Sequence, residues 1–208
     1  MAGVPARARQ TGVCLRVSMN LDTTFGPYTL LPHPIAKPGA QAGLVHDLSV
    51  AIARPRADRL ELTYRVTGDL DALRLPEPRT PVRTDGLWRR TCFEAFIGPA
   101  GAGDYWEYNF SPSGAWAAYH FSAYREGMAP LLKGVPPDIV RHAGGETLKL
   151  AVSLDLSWLT RSFAVRGLRL GLAAVIEDKA QVLSYWALKH PAEKPDFHHA
   201  GSFVVELD

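Results

Sequence analysis

The feature that most constrains this chain is a segment of about forty residues that reads as three β-strands joined by two turns. The β-rich runs are residues 88–97, 104–110 and 115–122. A flexible GPAGAG connector separates the first two runs. The SPSG sequence at 111–114 fits a type I turn, with proline in its second position and glycine in its fourth. The segment therefore predicts a three-stranded antiparallel sheet.

Side chains alternate across a β-strand, so the register of the two hairpins decides which residues share a face. Symmetric hairpins set Glu94 opposite Glu107 and Asn109 opposite Trp116. One face is then apolar and predicts the core, with Phe93, Ala95, Ile97, Trp106, Tyr108, Phe110, Ala115, Ala117, Tyr119 and Phe121. The other face mixes aromatic, acidic, amide and basic groups and is the candidate ligand-binding face, with Trp88, Arg90, Cys92, Glu94, Glu107, Asn109, Trp116 and His120.

The rest of the chain predicts the same class of fold. Apolar residues alternate clearly in 59–67 and 147–156, and helical stretches are few. Roughly nine to eleven short strands in 208 residues predict a single all-β domain, built as an antiparallel β-sandwich. Residues 1–28 are expected to be an irregular extension and residues 29–208 the sandwich domain. Met19 is a candidate natural start, because residues 1–18 show little periodicity.

Composition excludes several classes of partner. A formal net charge of +2, with no basic stripe, does not predict binding to nucleic acid or to an anionic membrane. Cys14 and Cys92 lie far apart, which argues against a disulfide framework and fits a reducing compartment. Without a transmembrane run or a cleavable leader, we expect cytoplasmic residence. No nucleophile-elbow, P-loop or dinucleotide motif is present, so no cofactor is predicted.

Three segments resemble the DOMON-like proteins that are grouped with family nine carbohydrate-binding modules, a group with many small bacterial members. These segments are LWRRTCFEAF (87–96), YWEYNFSPSGAWAAYHFSAYR (105–125) and SYWALKHPAEKPDFHH (184–199). The resemblance runs from about Thr29 to the end of the chain. It implies a jelly-roll-like β-sandwich with a binding rather than a catalytic role. DOMON relatives bind sugars or haem, and no motif fixes which of Met128, His120, His190 or His198 would match the axial methionine and histidine of the haem-binding members.

The mixed face favours non-catalytic binding of a small polar ligand, in particular a carbohydrate. A pyranose has an apolar face that stacks on an indole ring, and hydroxyl groups that need carboxylate, amide and guanidinium partners. The candidate ligand-binding residues are Trp88, Arg90, Glu94, Glu107, Asn109, Trp116, His120, Arg125, Trp186 and His198. Core or rim packing is the alternative role for each tryptophan, because tryptophan is usually largely buried.

The two glutamates of this face raise a question of charge. Glu94 and Glu107 would repel each other if both were ionised and close. An intervening Arg90 or Arg125, a protonated glutamate or a bound cation would each relieve the repulsion, and an arginine–glutamate network bracing the sheet is a further interpretation. Paired carboxylates also raise glycoside hydrolysis as an alternative function.

One loop contains residue types that bind metals, namely His190, Asp196, His198 and His199. Their spacing matches none of the usual zinc signatures, so a merely polar loop is the simpler interpretation. A haem or metal protein that uses histidines is the alternative from another functional class. The buried-strand context of Cys92 predicts a packing role for its thiol rather than a nucleophilic one.

Overall fold

Two mostly antiparallel β-sheets packed face to face form the described part of the chain, which confirms the predicted all-β sandwich. This computed structural model describes residues 15–17, 24–35, 43–131, 135–162 and 167–207. The strands in chain order are β1 (Leu15–Val17), β2 (Thr24–Thr29), β3 (Leu31–Pro32), β4 (Val45–Arg56), β5 (Arg59–Gly68), β6 (Cys92–Pro99), β7 (Tyr105–Phe110), β8 (Trp116–Phe121), β9 (Ala129–Pro130), β10 (Asp138–Gly144), β11 (Thr147–Asp155), β12 (Leu168–Glu177), β13 (Leu183–Ala187) and β14 (Val205–Leu207).

Helical structure is short and lies between the strands. Within the described residues there is one α-helix, α1 (Ser157–Ser162), and 3₁₀ turns span Leu70–Ala72, Leu87–Arg89 and Ala200–Ser202. In the ranges given above, no helix is long and apolar enough to cross a membrane.

The two sheets differ in how deeply they are buried. The smaller sheet has the order β10-β11-β5-β4-β2. In β5, buried and more exposed residues alternate, as a strand with one solvent face requires. The larger sheet runs β1-β14-β12-β6-β7-β8-β9, with β13 also paired to β12 and β3 paired to β13. Every residue of β6 and β7 is buried, so this sheet is covered on both faces.

Each face of the larger sheet packs in its own apolar cluster. Phe93, Ala95 and Ile97 of β6 join the core between the sheets, together with residues of β4, β5 and β11. Phe96 faces the other way and packs with Phe197 and Phe203 from the chain segments that cover the outer face. We call this covered side the outer face.

The register of the first hairpin differs from the prediction by two residues. Glu94 pairs with Asn109, and Phe96 pairs with Glu107. A shift of two residues keeps every side chain on its predicted face. Glu94, Glu107 and Asn109 therefore share the outer face, as expected, although the two glutamates lie diagonally rather than directly opposite.

The second hairpin is shifted by one residue, which corrects the predicted face of β8. Its turn closes through a hydrogen bond from the Ser111 N–H to the Ala115 carbonyl, at 2.8 Å, so the loop has three residues. Gly114 takes a φ of +90°, the left-handed conformation typical of three-residue hairpin loops. Phe110 therefore pairs with Trp116, which puts Trp116 and His120 on the core side and Tyr119 on the outer face.

Other differences from the sequence interpretation concern segment boundaries. Residues 24–29 form β2 and 15–17 form β1, where an irregular extension was expected, and residues 1–14 and 18–23 lie outside the described part. Trp88 belongs to a 3₁₀ turn rather than to the start of β6. The strands exceed the expected nine to eleven because several have only two or three residues, which are too short to produce a sequence pattern.

Candidate functional site

A cavity of about 340 Å³ opens on the outer face of the larger sheet. Its floor comes from the outward-facing residues of three adjacent strands, Glu94 of β6, Glu107 of β7 and Val175 of β12. The walls come from the 3₁₀ turn before β6, the end of β8, strand β13 and the loop before β14. These wall residues are Trp88, Phe121, Arg125, Met128, Tyr185, Pro195, Phe197 and His198.

Glu94 is the most unusual group of the floor. The residue is only 3% exposed, and its Oε1 has no hydrogen-bond partner among the described residues. Burial raises the pKa of the Glu94 carboxyl well above its ordinary value, and the nearby Glu107 raises that pKa further. Beneath it, Tyr64 of the smaller sheet donates a hydrogen bond of 2.9 Å to the Glu94 backbone carbonyl. The strand is thus fixed while the carboxyl group remains free to meet a ligand.

Glu107 is held more firmly than Glu94. Asn109 Nδ2 donates to Glu107 Oε1 at 2.6 Å, and the Cys92 thiol lies 3.4 Å from Asn109 Oδ1. Burial raises the pKa of Glu107, while the Asn109 hydrogen bond and the positive charge of Arg125 oppose that rise. Of the two glutamates, we therefore expect Glu94 to keep its proton to the higher pH.

His198 completes the polar part of the cavity. Its Nδ1 shares a 2.8 Å hydrogen bond with the Tyr105 hydroxyl, and its Nε2 lies 3.7 Å from Glu107 Oε2. Burial, with a smaller contribution from Arg125, lowers the pKa of His198 to about 4. The imidazole is therefore neutral at neutral pH and offers hydrogen bonding rather than charge.

Asp196 connects the loop that carries His198 to the segment that follows β8. Arg125 Nη2 donates to Asp196 Oδ1 at 2.8 Å, and the Tyr124 hydroxyl donates to Asp196 Oδ2 at 2.5 Å. Asp196 also accepts a hydrogen bond from the backbone N–H of His198, at 3.2 Å. These contacts hold Pro195, Phe197 and His198 over the sheet. We call this set of contacts around Asp196 the loop latch.

Aromatic rings form much of the cavity wall. Trp88 packs edge-on against Tyr119, with ring centroids 5.6 Å apart, and Tyr185 lies 6.3 Å from Phe197. The ten candidate residues predicted from the sequence do not include Tyr185, Phe197 and Phe121, which also line the cavity. Strand alternation could have identified Tyr185, because it lies beside Trp186 and therefore faces the opposite side. The long-range folding of the loop onto the sheet leaves no such local signal for Phe197.

Five of the ten predicted site residues meet at this cavity, namely Trp88, Glu94, Glu107, Arg125 and His198. Asn109 is fully buried and lies behind Glu107, where it orients that carboxylate.

Four predicted site residues lie elsewhere. Trp116 packs against the core between the sheets, and His120 lies on the same side, 5.1 Å from the Trp106 ring and 3.5 Å from Asp104 Oδ2. Trp186 also faces the core, where its indole N–H donates to Ser184 Oγ at 2.8 Å. Arg90 forms an ion pair with the buried Glu177, which Arg74 also contacts, and this network braces the sheet at another place.

The question of charge between the two glutamates is answered in part. Arg90 does not lie between them, because its partner is Glu177. Arg125 opposes the rise in the pKa of Glu107 that burial causes, but it also binds Asp196. The raised pKa of Glu94 instead favours protonation of one glutamate, the second of the interpretations considered above.

The histidines of the outer loop do not converge. Within the described residues, no group of three or more histidine, cysteine, aspartate or glutamate side chains could hold a metal ion. His190 instead donates from its Nε2 to the Leu31 carbonyl, at 2.8 Å. Of the four residues considered as axial haem ligands, Met128 and His198 line the cavity, whereas His120 and His190 do not.

Solved structures include chains with the same architecture. A protein from Bacteroides uniformis ATCC 8492, for which carbohydrate binding has been proposed, superposes with a TM-score of 0.63 at 17% sequence identity, covering 86% of this chain and 84% of that chain. This similarity shows a shared fold.

Two further structures belong to family 9 carbohydrate-binding modules from Caldicellulosiruptor kristjanssonii. The module in complex with cellotriose gives a TM-score of 0.49 at 7% identity, covering 93% of this chain and 91% of that chain. The module in complex with glucose gives a TM-score of 0.44 at 8% identity, covering 93% and 94%. No protein-family model matches the chain, and no curated protein sequence matches it.

Proposed function

We propose that this protein binds a small carbohydrate, without catalysing its conversion, in the cavity on the outer face. The observation that carries the proposal is the buried Oε1 of Glu94, which has no partner within the described ranges, in a cavity with aromatic walls. A buried polar atom without a partner costs free energy, and a ligand hydroxyl would remove that cost. The combination of apolar rings and convergent polar groups is typical of small-molecule sites.

Each lining group has a role that suits a pyranose. Trp88 and Tyr185 line the cavity wall, and their aromatic rings can pack against the apolar face of the sugar. Glu107, ionised more readily than Glu94, accepts from sugar hydroxyls, and neutral His198 can donate or accept. Arg125, with half of its side chain exposed, borders the opening.

The shared fold with the Bacteroides uniformis protein supports this proposal, because carbohydrate binding has been proposed for that protein as well. The cavity size also agrees with a small ligand, since about 340 Å³ lies at the lower end of the range for small-molecule pockets.

Calorimetric titration with a panel of monosaccharides and disaccharides tests the proposal. We expect Trp88→Ala and Glu94→Ala to weaken binding of any sugar that the wild-type protein binds, each by roughly tenfold or more, the effect of losing about 1.4 kcal/mol. Trp116→Ala is the matched tryptophan control, because its side chain packs on the core side of the sheet. Full affinity in both cavity variants would exclude this site.

Glycoside hydrolysis is a second candidate, favoured by two carboxyl groups of unequal pKa in one cavity. If the protein hydrolyses glycosides, turnover of chromogenic substrates disappears in both Glu94→Gln and Glu107→Gln. Turnover by the wild-type protein that survives both changes would remove this candidate.

The haem alternative has a spectroscopic test. A protein that used Met128 and His198 as axial ligands would show a Soret band when purified with haem, and Met128→Leu would change it. Titration with haem that leaves the Soret band of free haem unshifted would leave the sugar as the preferred ligand.

A further inference from the structure

The cavity contains more acidic than basic groups. Glu94 and Glu107 are both buried, at 3% and 4% exposure, and the guanidinium of Arg125 is the charged basic group among the described lining residues. That guanidinium already binds Asp196, at 2.8 Å, and so brings a further carboxylate close to the opening. A ligand that enters this cavity meets an unbalanced negative charge whenever the floor is ionised.

The groups that face Glu94 do not supply the missing positive charge. Glu107 on the neighbouring strand is acidic, and His198 in the covering loop is neutral because its pKa is lowered to about 4. Cys92, on the same strand, is a buried thiol whose pKa is raised, so it also carries no charge. The hydroxyl of Tyr64, below the sheet, donates to the backbone carbonyl of Glu94, and so it satisfies neither oxygen of the Glu94 carboxyl group.

A cationic donor would complete this arrangement. An ammonium group has three N–H donors and a full charge, so it can satisfy the unpartnered Glu94 Oε1 and bind Glu107 together. The rings of Trp88, Phe121 and Tyr185 lie around the same cavity, and aromatic faces also attract cations. A neutral hydroxyl would satisfy one oxygen but would offer no positive charge to the ionised form of the two carboxyl groups.

We infer that the ligand is an amino sugar, whose primary ammonium group binds Glu94 and Glu107 and whose pyranose ring packs against the aromatic wall. This inference rests on the proposed carbohydrate site and specifies the class of sugar. It assigns Glu94 as the residue that distinguishes an amine-bearing sugar from its neutral relatives.

Four small molecules test separately whether the ligand needs the ammonium group and whether it needs the sugar hydroxyls. Glucosamine, at a pH below the pKa of its amine, carries both the ring hydroxyls and the charge. Glucose lacks the amine, N-acetylglucosamine carries it as a neutral amide, and cyclohexylamine keeps the ring and the charge without the hydroxyls. We expect calorimetry to show that glucosamine binds at least roughly tenfold more tightly than each of the other three, since one charge-assisted contact supplies a difference of that size.

Binding should also release a proton when Glu94 is protonated beforehand. Titrations of glucosamine in two buffers with different ionisation enthalpies would then give different heats, whereas titrations of N-acetylglucosamine would give equal ones. Equal heats for both sugars would contradict a role for Glu94 in exchanging its proton for the ammonium group.

Two variants connect the preference to the cavity. Glu94→Gln keeps the shape of the side chain, and we expect it to abolish the preference for glucosamine over glucose. Glu107→Gln should reduce the same preference and serves as the second test if the first variant does not fold. Glu61→Gln is the control, because Glu61 is exposed on the smaller sheet.

The outcomes distinguish failure of this inference from failure of the proposed function. Glucose that binds as tightly as glucosamine would overturn the amino-sugar inference and leave carbohydrate binding intact. No binding by any of the three sugars would overturn both. Cyclohexylamine that binds as tightly as glucosamine would show a cation site and would overturn the need for a sugar.

Discussion

At the scale of single residues, the Glu94 carboxyl group on the cavity floor is available to a ligand, but its burial lowers the stability of the fold. Glu94 occupies a buried position where its charged form is disfavoured, and its Oε1 has no partner in the described part of the chain. Glu107, two residues before Asn109, is satisfied by that amide. A carboxyl group that is left unsatisfied in the free protein is a group that a ligand can use, and the fold must tolerate it until then.

We predict that Glu94→Gln stabilises the protein at neutral pH. The pKa of Glu94 is raised in the folded state, so folding takes up a proton above its ordinary pKa of 4.5, and stability falls as the pH rises from there towards the folded-state pKa. Glutamine does not titrate, and so this loss is absent. Thermal unfolding between pH 4 and pH 8 should show a difference in Tm, variant minus wild type, that grows with pH.

The matched control for this prediction is Glu61→Gln, because Glu61 is exposed on the smaller sheet. A Tm difference for Glu94→Gln that stays flat, or that shrinks as the pH rises, would contradict the raised pKa of Glu94.

At the scale of elements, the cavity exists because a loop is fastened over one face of a sheet. β6, β7 and β12 supply the floor, but without the segment that contains Phe197 and His198 this floor would be an open surface. The loop latch around Asp196 makes the connection, with Arg125 and Tyr124 as its partners. Both partners are about half exposed, so the latch stabilises a geometry more than it stabilises the fold.

Asp196→Ala should therefore weaken ligand binding more than it weakens folding. We expect the free energy of unfolding to fall by only about 1 kcal/mol, the usual upper value for exposed ion pairs, while the affinity for the sugar falls roughly tenfold because His198 and Phe197 lose their support. Faster amide exchange in residues 190–199 would show the loosened loop directly.

Asp58→Ala provides the comparison, since Asp58 forms an exposed pair with Arg56 on the smaller sheet, at 3.2 Å. Its affinity should equal that of the wild-type protein. A loss of stability in Asp196→Ala as large as its loss of affinity, each expressed in kcal/mol, would indicate that the latch holds the fold rather than the cavity.

At the scale of the whole molecule, the two sheets depend on each other at the site. Tyr64 is fully buried in the core, and its hydroxyl reaches from the smaller sheet to the Glu94 backbone carbonyl of the larger one, at 2.9 Å. Its ring also packs 5.1 Å from that of Phe93. The strand that carries the central carboxyl group is therefore anchored from the opposite layer of the sandwich.

Tyr64→Phe should lower the free energy of unfolding by about 1 kcal/mol, the usual net contribution of one hydrogen bond, because the Glu94 carbonyl loses a buried donor. Chemical denaturation measures this change. Tyr28→Phe is the control, since Tyr28 is only partly buried, and we expect almost no change there. Equal stabilities of the Tyr64 variant and the wild-type protein would show that the inter-sheet hydrogen bond contributes nothing.

The predictions from sequence succeeded where the signal was local. Alternation in 59–67 predicted that Leu60, Leu62, Tyr64 and Val66 share a buried face, and all four are fully buried. Alternation in the first predicted hairpin, 88–110, placed Glu94 and Glu107 together on one face. This placement is correct because an error of two residues in the hairpin register preserves side-chain direction. An error of one residue in the next hairpin moved Trp116 and His120 to the wrong face.

The sequence by itself determined the class of fold and the placement of two acidic residues on the same side of a sheet, because strand alternation is a property of neighbouring residues along the chain. Only the tertiary structure decided that this side is a cavity rather than a surface. The loop that carries His198 reaches the sheet through contacts such as Arg125 with Asp196, which are 71 residues apart in the chain. Such contacts depend on how the whole chain packs, and no local pattern encodes them.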